Sequence, residues 1–309
     1  MAAPTIDPKT IFTPDEWAGL RQRNDWIGLG LVAHAWVLIG LAVALFAWAP
    51  NPVTWLIAVM VVGARQLGLA ILMHEAAHGG LSTNQKLNDF VGHWLCGAPV
   101  GASLYRYRPY HLSHHRNTQQ SDDPDLGLAA HFPISKKSYQ RKLIRDLTGQ
   151  TLFKQTLRPL LGFLGAPTQA SPEARAAALT FLGAQAVVFI LFAAAGQALA
   201  FVTIWLVAQA SWYPAVTRLR NIGEHACATP DPSDPWRLAR TTYANPLERL
   251  LIAPYWVHYH AEHHLWMYIP CYRLEATHAL LKQKGWTEKM EIKQGYRQIL
   301  ELATAKQAL

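Results

Sequence analysis

The feature that most constrains this chain is the run from Trp26 to Trp48, 23 residues without a single Asp, Glu, Lys or Arg. Coiled as a helix, such a run is long enough to cross a hydrocarbon core of roughly 30 Å. Ala49-Pro50-Asn51-Pro52 then breaks it, because proline does not continue a helix interior. Val53 to Met73 is apolar again apart from Arg65 and Gln66, so the two segments read as a helical hairpin that brings the chain back to its starting side. A second pair, Ala176 to Ala195 and Ala198 to Leu219, is divided only by Gly196-Gln197 and returns the chain again.

Charge orients these spans. The turns near Pro50 and Gly196 are uncharged, whereas the segment from Tyr105 to Arg175 carries eleven Lys and Arg residues, and positive loops stay on the cytoplasmic side. The expected fold is one all-α integral membrane domain over residues 1–309. It has four transmembrane helices (26–48, 53–73, 176–195 and 198–219) in two hairpins, and a cytoplasmic helical cap built from 1–25, 74–175 and 220–309. In a bacterium the membrane would be the inner or plasma membrane. Phe90 to Leu104 is apolar but only 15 residues long, which suits a half-inserted or interfacial helix. Composition agrees with this picture: 51% of residues are hydrophobic and 16% charged, against roughly 25% charged in an average soluble domain. The mean hydropathy of only +0.04 fits apolar spans diluted by polar segments.

The first 25 residues hold Asp7, Asp15 and Glu16 and lack the basic leader, short apolar core and small-residue cleavage site of a signal peptide, so the first span is expected to be retained. A net charge of +8 favours anionic headgroups or an acidic protein partner. No arginine-rich run or nucleic-acid motif accompanies it, and no nucleic-acid partner is expected. Cys96, Cys227 and Cys271 are odd in number and far apart, with no CxxC pairing, so neither a disulfide framework nor a thiolate zinc site is indicated.

Eight of the fourteen histidines fall in three compact groups: His74 and His78 in HEAAH, His111, His114 and His115 in HLSHH, and His260, His263 and His264 in HAEHH. Residues three or four apart share one helix face about 5–6 Å from each other, so each group aims its imidazoles at a common centre. The first group ends the second span, the second lies in the segment that follows, and the third comes after the fourth span; all are expected to face one compartment. Asn221-Ile222-Gly223-Glu224-His225 adds a further pair of candidate ligands at the same depth. Imidazole suits zinc, copper and iron, and eight or nine imidazoles exceed what one ion holds, so two ions are expected.

HEAAH, HLSHH, NIGEH and HAEHHL, ordered around two hairpins, resemble the membrane fatty acid desaturase superfamily over roughly residues 26 to 275. The resemblance implies a di-iron centre with molecular oxygen as co-substrate, and electrons from a separate donor such as a ferredoxin, cytochrome b5 or a reductase. No HPGG signature of a fused cytochrome b5 is present. It implies iron ligation by His74, His78, His111, His114, His115, His225, His260, His263 and His264, with Asn221 near the second iron, directly or through water. The substrate implied is a lipid or acyl chain in the membrane, desaturated or, within the same superfamily, hydroxylated or ketolated. The first group is HxxxH rather than the HxxxxH of the acyl-coenzyme A desaturases.

Other readings compete at particular residues. HEAAH also fits the zinc-protease pattern HExxH, with Glu75 as general base, but that reading leaves both HxxHH groups unexplained. A metal storage or transport protein would spread ligands across the bilayer rather than gather them on one side. Glu75, Asp122, Asp123, Asp125, Glu224 and Glu262 are candidates to orient the ligands from behind, or are ordinary surface and capping residues. His34, His93, His131, His258 and His278 lie outside the groups, and of these only His258 stands as a substitute ligand. Arg65, within a span, either meets an anionic lipid or pairs inside the bundle. Trp212, Tyr213, Tyr255, Trp256, Trp266 and Tyr268 could line an acyl tunnel or anchor the interface. Lys136, Lys137, Arg141, Lys142 and Arg145 could dock an acidic electron carrier.

Overall fold

The structure is a computed structural model and describes residues 2–228 and 231–305. Among the described residues, four helices are long and apolar enough to cross a membrane. The first, α1 (Asp25–Trp48), is capped by Asn24, whose side chain accepts from the Ile27 N–H. The second, α2 (Pro52–Ala77), opens with a capping box between Asn51 and Thr54 and with proline in its first turn, where a missing N–H costs nothing. At about 1.5 Å per residue, α2 is about 39 Å long, more than a hydrocarbon core of roughly 30 Å needs, with the HEAAH segment at its end. Then follow α3 (Leu104–Asn117) and α4 (Pro172–Ala194), capped by Ser171. The last long helix is α5 (Ala198–His225).

The element boundaries refine the expected ones. The helix that contains the fourth expected span runs past Leu219 to His225, so Asn221-Ile222-Gly223-Glu224-His225 forms its last turn. It is wider than an α-helix at Phe201–Leu206 and interrupted at Ser211, whose hydroxyl donates to the Val207 carbonyl at 2.6 Å. Phe90 to Leu104 is no uniform helix. It is a bent helical stretch with Val91, Gly92, His93, Cys96 and Gly97 buried, packed along α2, and with Phe90, Trp94 and Leu95 exposed. The expected all-α chain also contains a short parallel pair, β1 (Arg240–Thr242) with β2 (Glu291–Lys293). It fastens the end of the chain beside the third histidine group.

Several polar groups inside the apolar helices find partners within the protein. Gln66 donates to the Trp205 carbonyl at 3.0 Å, Trp205 Nε1 donates to Gln185 Oε1 at 2.9 Å, and Gln185 donates to the Pro99 carbonyl at 2.8 Å. Arg65 donates to the Leu250 carbonyl at 2.5 Å and lies 5.5 Å from the Tyr255 ring. It pairs inside the protein, with a carbonyl and a ring.

A second core lies apart from the spans. Ile11, Phe12 and Leu20 pack with Trp266, Ile269, Leu281 and Met290. Phe12 meets the edge of Trp266 with centroids 5.0 Å apart, and Trp266 Nε1 donates to the Ile6 carbonyl at 3.2 Å. The N-terminal segment thus clamps α6 (His260–Leu265), which carries the third histidine group.

The contact between α1 and the loop after α2 tolerates no side chain at Gly28, where an added Cβ would stand 2.1 Å from the Leu81 carbonyl oxygen. Gly28→Ala is expected to destabilise the protein by about 1–3 kcal/mol through forced overpacking, seen as a lower thermal midpoint in detergent. Gly30→Ala, with nothing within 4 Å, should leave that midpoint unchanged or raise it.

Candidate metal centre

The helix ends that carry the histidines are fixed first. Arg108 donates from Nε to the Ala77 carbonyl at 3.1 Å and from Nη2 to the Ala76 carbonyl at 3.0 Å, while pairing with Asp89 at 2.5 Å. Arg23 donates to the Gly79 carbonyl at 2.8 Å. At the end of α5, Arg240 donates to the Gly223 and Ala226 carbonyls at 3.0 and 2.8 Å. These arginines satisfy C-terminal carbonyls that have no partner within the helix. Neither Arg108 nor Arg240 was singled out by the sequence; a lone arginine dozens of residues away carries no local signal of a capping role.

All nine candidate histidines meet. Single nitrogens of His74, His78, His111, His115 and His263 lie within 4.8 Å of one another, as do those of His114, His225 and His264. His260 joins the second group through His225, together with a carboxylate oxygen of Glu224. The nine thus divide into five and four. His258, the substitute ligand, is outside both: its Nδ1 hydrogen bonds the Thr242 carbonyl at 2.9 Å. Thiols form no part of either group.

In the second group the Nδ1 atoms point outward to partners. His114 Nδ1 donates to Asp123 Oδ1 at 2.7 Å. His225 Nδ1 donates to the Leu238 carbonyl at 3.1 Å. Thr118 gives its own proton to the His114 carbonyl at 2.8 Å, so His264 Nδ1 donates to the Thr118 oxygen at 3.2 Å. His260 Nδ1 lies 3.3 Å from Glu224 Oε1. A neutral imidazole has one donor and one acceptor, so each Nε2 is left with a lone pair facing inward. Yet His225 Nε2 lies 3.3 Å from His114 Nε2 and 2.9 Å from His260 Nε2. Two lone pairs do not hydrogen bond each other; a cation between them turns the repulsion into ligation.

The first group repeats the arrangement. His115 Nε2 lies 2.9 Å from His111 Nε2 and 3.0 Å from His263 Nε2, and one ring nitrogen donates to at most one of them. Nitrogens of His74, His78 and His111 are buried without a hydrogen-bond partner. Protonation does not relieve the crowding, because burial pushes the His78 imidazole down to about 3. Burial, then neighbouring imidazoles, hold His111, His115 and His263 well below the ordinary range. Buried, neutral, inward-facing imidazoles are a donor set that fits a metal ion.

The carboxylates proposed to orient ligands have distinct places. Asp123 holds His114, and Asp125 lies 3.8 Å from the same nitrogen while accepting from the Tyr110 hydroxyl. Glu224 sits between His260 and Arg220, the latter at 2.5 Å. Asp122 contacts neighbours but joins neither nitrogen group. Glu262 is fully buried and serves the scaffold, accepting from Thr241 at 2.5 Å and from His278 Nδ1 at 2.5 Å. Glu75 accepts from the Cys271 N–H at 3.1 Å and packs on Gly80. It braces the turn after α6 rather than standing as a general base. Asn221 lines a small pocket with His111, His114, His225 and His260, its Oδ1 accepting from Arg220 at 3.2 Å.

Four apolar helices and a cage of imidazoles define the class: a helical membrane protein with a histidine cluster that could hold metal. The family model for fatty acid desaturase matches residues 50–290, and the chain belongs to the fatty acid desaturase family. Among curated relatives, an sn-1 acyl-lipid omega-3 desaturase (ferredoxin) of Synechocystis sp. is 28% identical over 38% of this chain and 29% of its own length. An omega-3 fatty acid desaturase of the tobacco (Nicotiana tabacum) endoplasmic reticulum is 35% identical over 26% of this chain and 20% of its own. Dihydrorhizobitoxine desaturase of Bradyrhizobium elkanii is 24% identical over 74% of this chain and 68% of its own length. The first of these relatives is therefore spanned over less than a third of its length.

Two outcomes follow. Asp123→Asn should weaken metal binding 10- to 100-fold, the usual cost of removing an outer partner of a ligating histidine, in a metal titration of purified protein. Glu301→Gln, on an exposed pair, should not. The depressed histidines also set a pH dependence. Their folded values lie below the unfolded value near 6.5, so the unfolded chain binds more protons and stability is lost as pH falls through that value. The metal-free protein should lose about 1 kcal/mol for each imidazole kept neutral between pH 7.5 and 5.5, read as a falling thermal midpoint.

Proposed function

We propose that this chain is an integral membrane di-iron oxidoreductase that acts on an unactivated C–H position of a lipid acyl chain, and that the reaction is desaturation. The observation that carries the proposal is the convergence of lone pairs on His225 Nε2 and His115 Nε2, taken with membership of a desaturase family. His74, His78, His111, His115 and His263 would hold one ion and His114, His225, His260 and His264 the other, with Asn221 acting through water. The gap in nitrogen ligands at the second site is on the side of Glu224 and Asn221.

A bound iron pair supplies the oxygen-dependent redox chemistry that no side chain offers, drawing electrons from a separate donor. The protein's own contribution is placement. Asp123, the Leu238 carbonyl and Thr118 fix the His114, His225 and His264 rings by their outer nitrogens, so the inner nitrogens of these three need little reorganisation on loading. Burial of the cage excludes water from the position where a reactive carbon would lie. Arg220 balances the Glu224 carboxylate, which would otherwise compete for the charge of the site.

The same reading places the two helix pairs as hairpins of a single domain over 1–309, the cage on the cytoplasmic face, and the protein in the inner or plasma membrane of a bacterium. The cationic segment around Lys136–Leu147 would meet an acidic carrier of the ferredoxin or cytochrome b5 kind.

Expression in a host of defined lipid composition, followed by mass spectrometry, tests the reaction. A lipid short of two hydrogens is expected. A lipid with an added oxygen would make the enzyme a hydroxylase, and no change with iron and a competent reductase present would contradict the proposal. His115→Ala and His263→Ala should each abolish product and iron loading together; a variant that keeps both would refute its ligand role.

A further inference from the structure

The cage is not the largest space at this level of the molecule. A cavity of about 640 Å³ lies along the neighbouring face of α3, within the size range of small-molecule sites. Its lining is mostly apolar, from Ala98, Ala102, Ala176, Ala177 and Phe181. Exposed Arg106 and Glu173 also border it. One wall is the first part of α4, a helix apolar enough to span a membrane, and exposed Phe90, Trp94 and Leu179 lie on the neighbouring elements. The surroundings are those of a chamber open to lipid.

The helix α3 divides this chamber from the cage by its periodicity. Ser103, Arg106, Tyr107 and Tyr110, spaced as one helical face, line the chamber. Tyr107, His111 and His114, spaced as the adjoining face, line the small pocket beside Asn221 and Glu224. Tyr107 belongs to both. Its ring lies nearly parallel to the His111 ring, 5.0 Å between centroids at 12°, and 6.2 Å from the His74 ring.

We propose that the chamber seats the substrate as an amphiphile, its polar head held at Arg106 and Glu173, and that Tyr107 is the partition past which its apolar chain reaches the cage. Tyr107 is then a positioning residue: its bulk sets which carbon is presented to the metal pocket. The assignment of the occupant rests on the desaturase reading, but the chamber's occupancy is measurable without turnover.

Metal-free protein is irradiated with a phosphatidylcholine bearing a diazirine midway along one acyl chain, and the adducts are mapped by peptide mass spectrometry. Adducts are expected within residues 98–107 and 172–181. They should fall about tenfold or more in Ala177→Trp and in Ala176→Trp, which fill the chamber from exposed helix positions, while label on the lipid-facing surface of α1 is unchanged. Adducts on α1 alone, or undiminished adducts in the filled variants, overturn the seat. In the loaded enzyme, Tyr107→Ala should shift the double bond along the chain at unchanged iron content, and Tyr107→Phe, which keeps the ring, should not. An unshifted bond in Tyr107→Ala overturns the partition. A wild type that labels in the chamber yet yields no product would defeat the desaturase reading and leave the chamber's ligand established.

Discussion

Nine converging imidazoles, six of them buried and His115, His225 and His264 half-buried, are the constraint on which the remaining structure depends. In a soluble core such an arrangement would be resolved by protonating some rings or turning them to solvent. Here burial opposes protonation at His78, His111 and His263, and the His114, His225 and His264 rings are held by hydrogen bonds from their outer nitrogens. The cost of leaving buried nitrogens unpaired, about 1–3 kcal/mol each, is offset when a cation takes the lone pairs. The fold is arranged to bring that offset about: four sequence-distant elements, α2, α3, α5 and α6, deliver their histidines to one place.

The bracing has a common form. Helices that end at the cage leave carbonyls without partners, and arginines from other segments reach them: Arg23 and Arg108 at the end of α2, Arg240 at the end of α5. The third group sits on a helix of only six residues, too short to be stable alone. It is held by Glu262 to Thr241 and His278, and by the aromatic contact of Trp266 with Phe12. The N-terminal segment is thereby a structural part of the metal site, although it contributes no ligand.

Much of this was legible in the sequence because its signals are local. Twenty-three uncharged residues announce a span, and histidines at i, i+3 and i+4 announce a shared helix face, whatever the tertiary context. What escaped depends on partners far away in the chain. Glu262 stands between two ligands in sequence, which suggests a role behind the imidazoles, yet its carboxylate turns to Thr241 and His278. Glu75 likewise turns to the Cys271 N–H instead of the cage. The length of the last long helix was also hidden: it runs on to His225, where Asp146 pairs with Arg218 and Glu224 with Arg220. Division of the ligands into five and four needed coordinates, since spacing groups them as two, three, one and three.

The account's central claim is that the cage holds a pair of irons. Metal analysis of protein purified from iron-replete cells, counted per chain, tests it most directly. Two irons per chain, lost when His115 or His263 is replaced, is the expected result. A single zinc with no iron, retained in those variants, would contradict it.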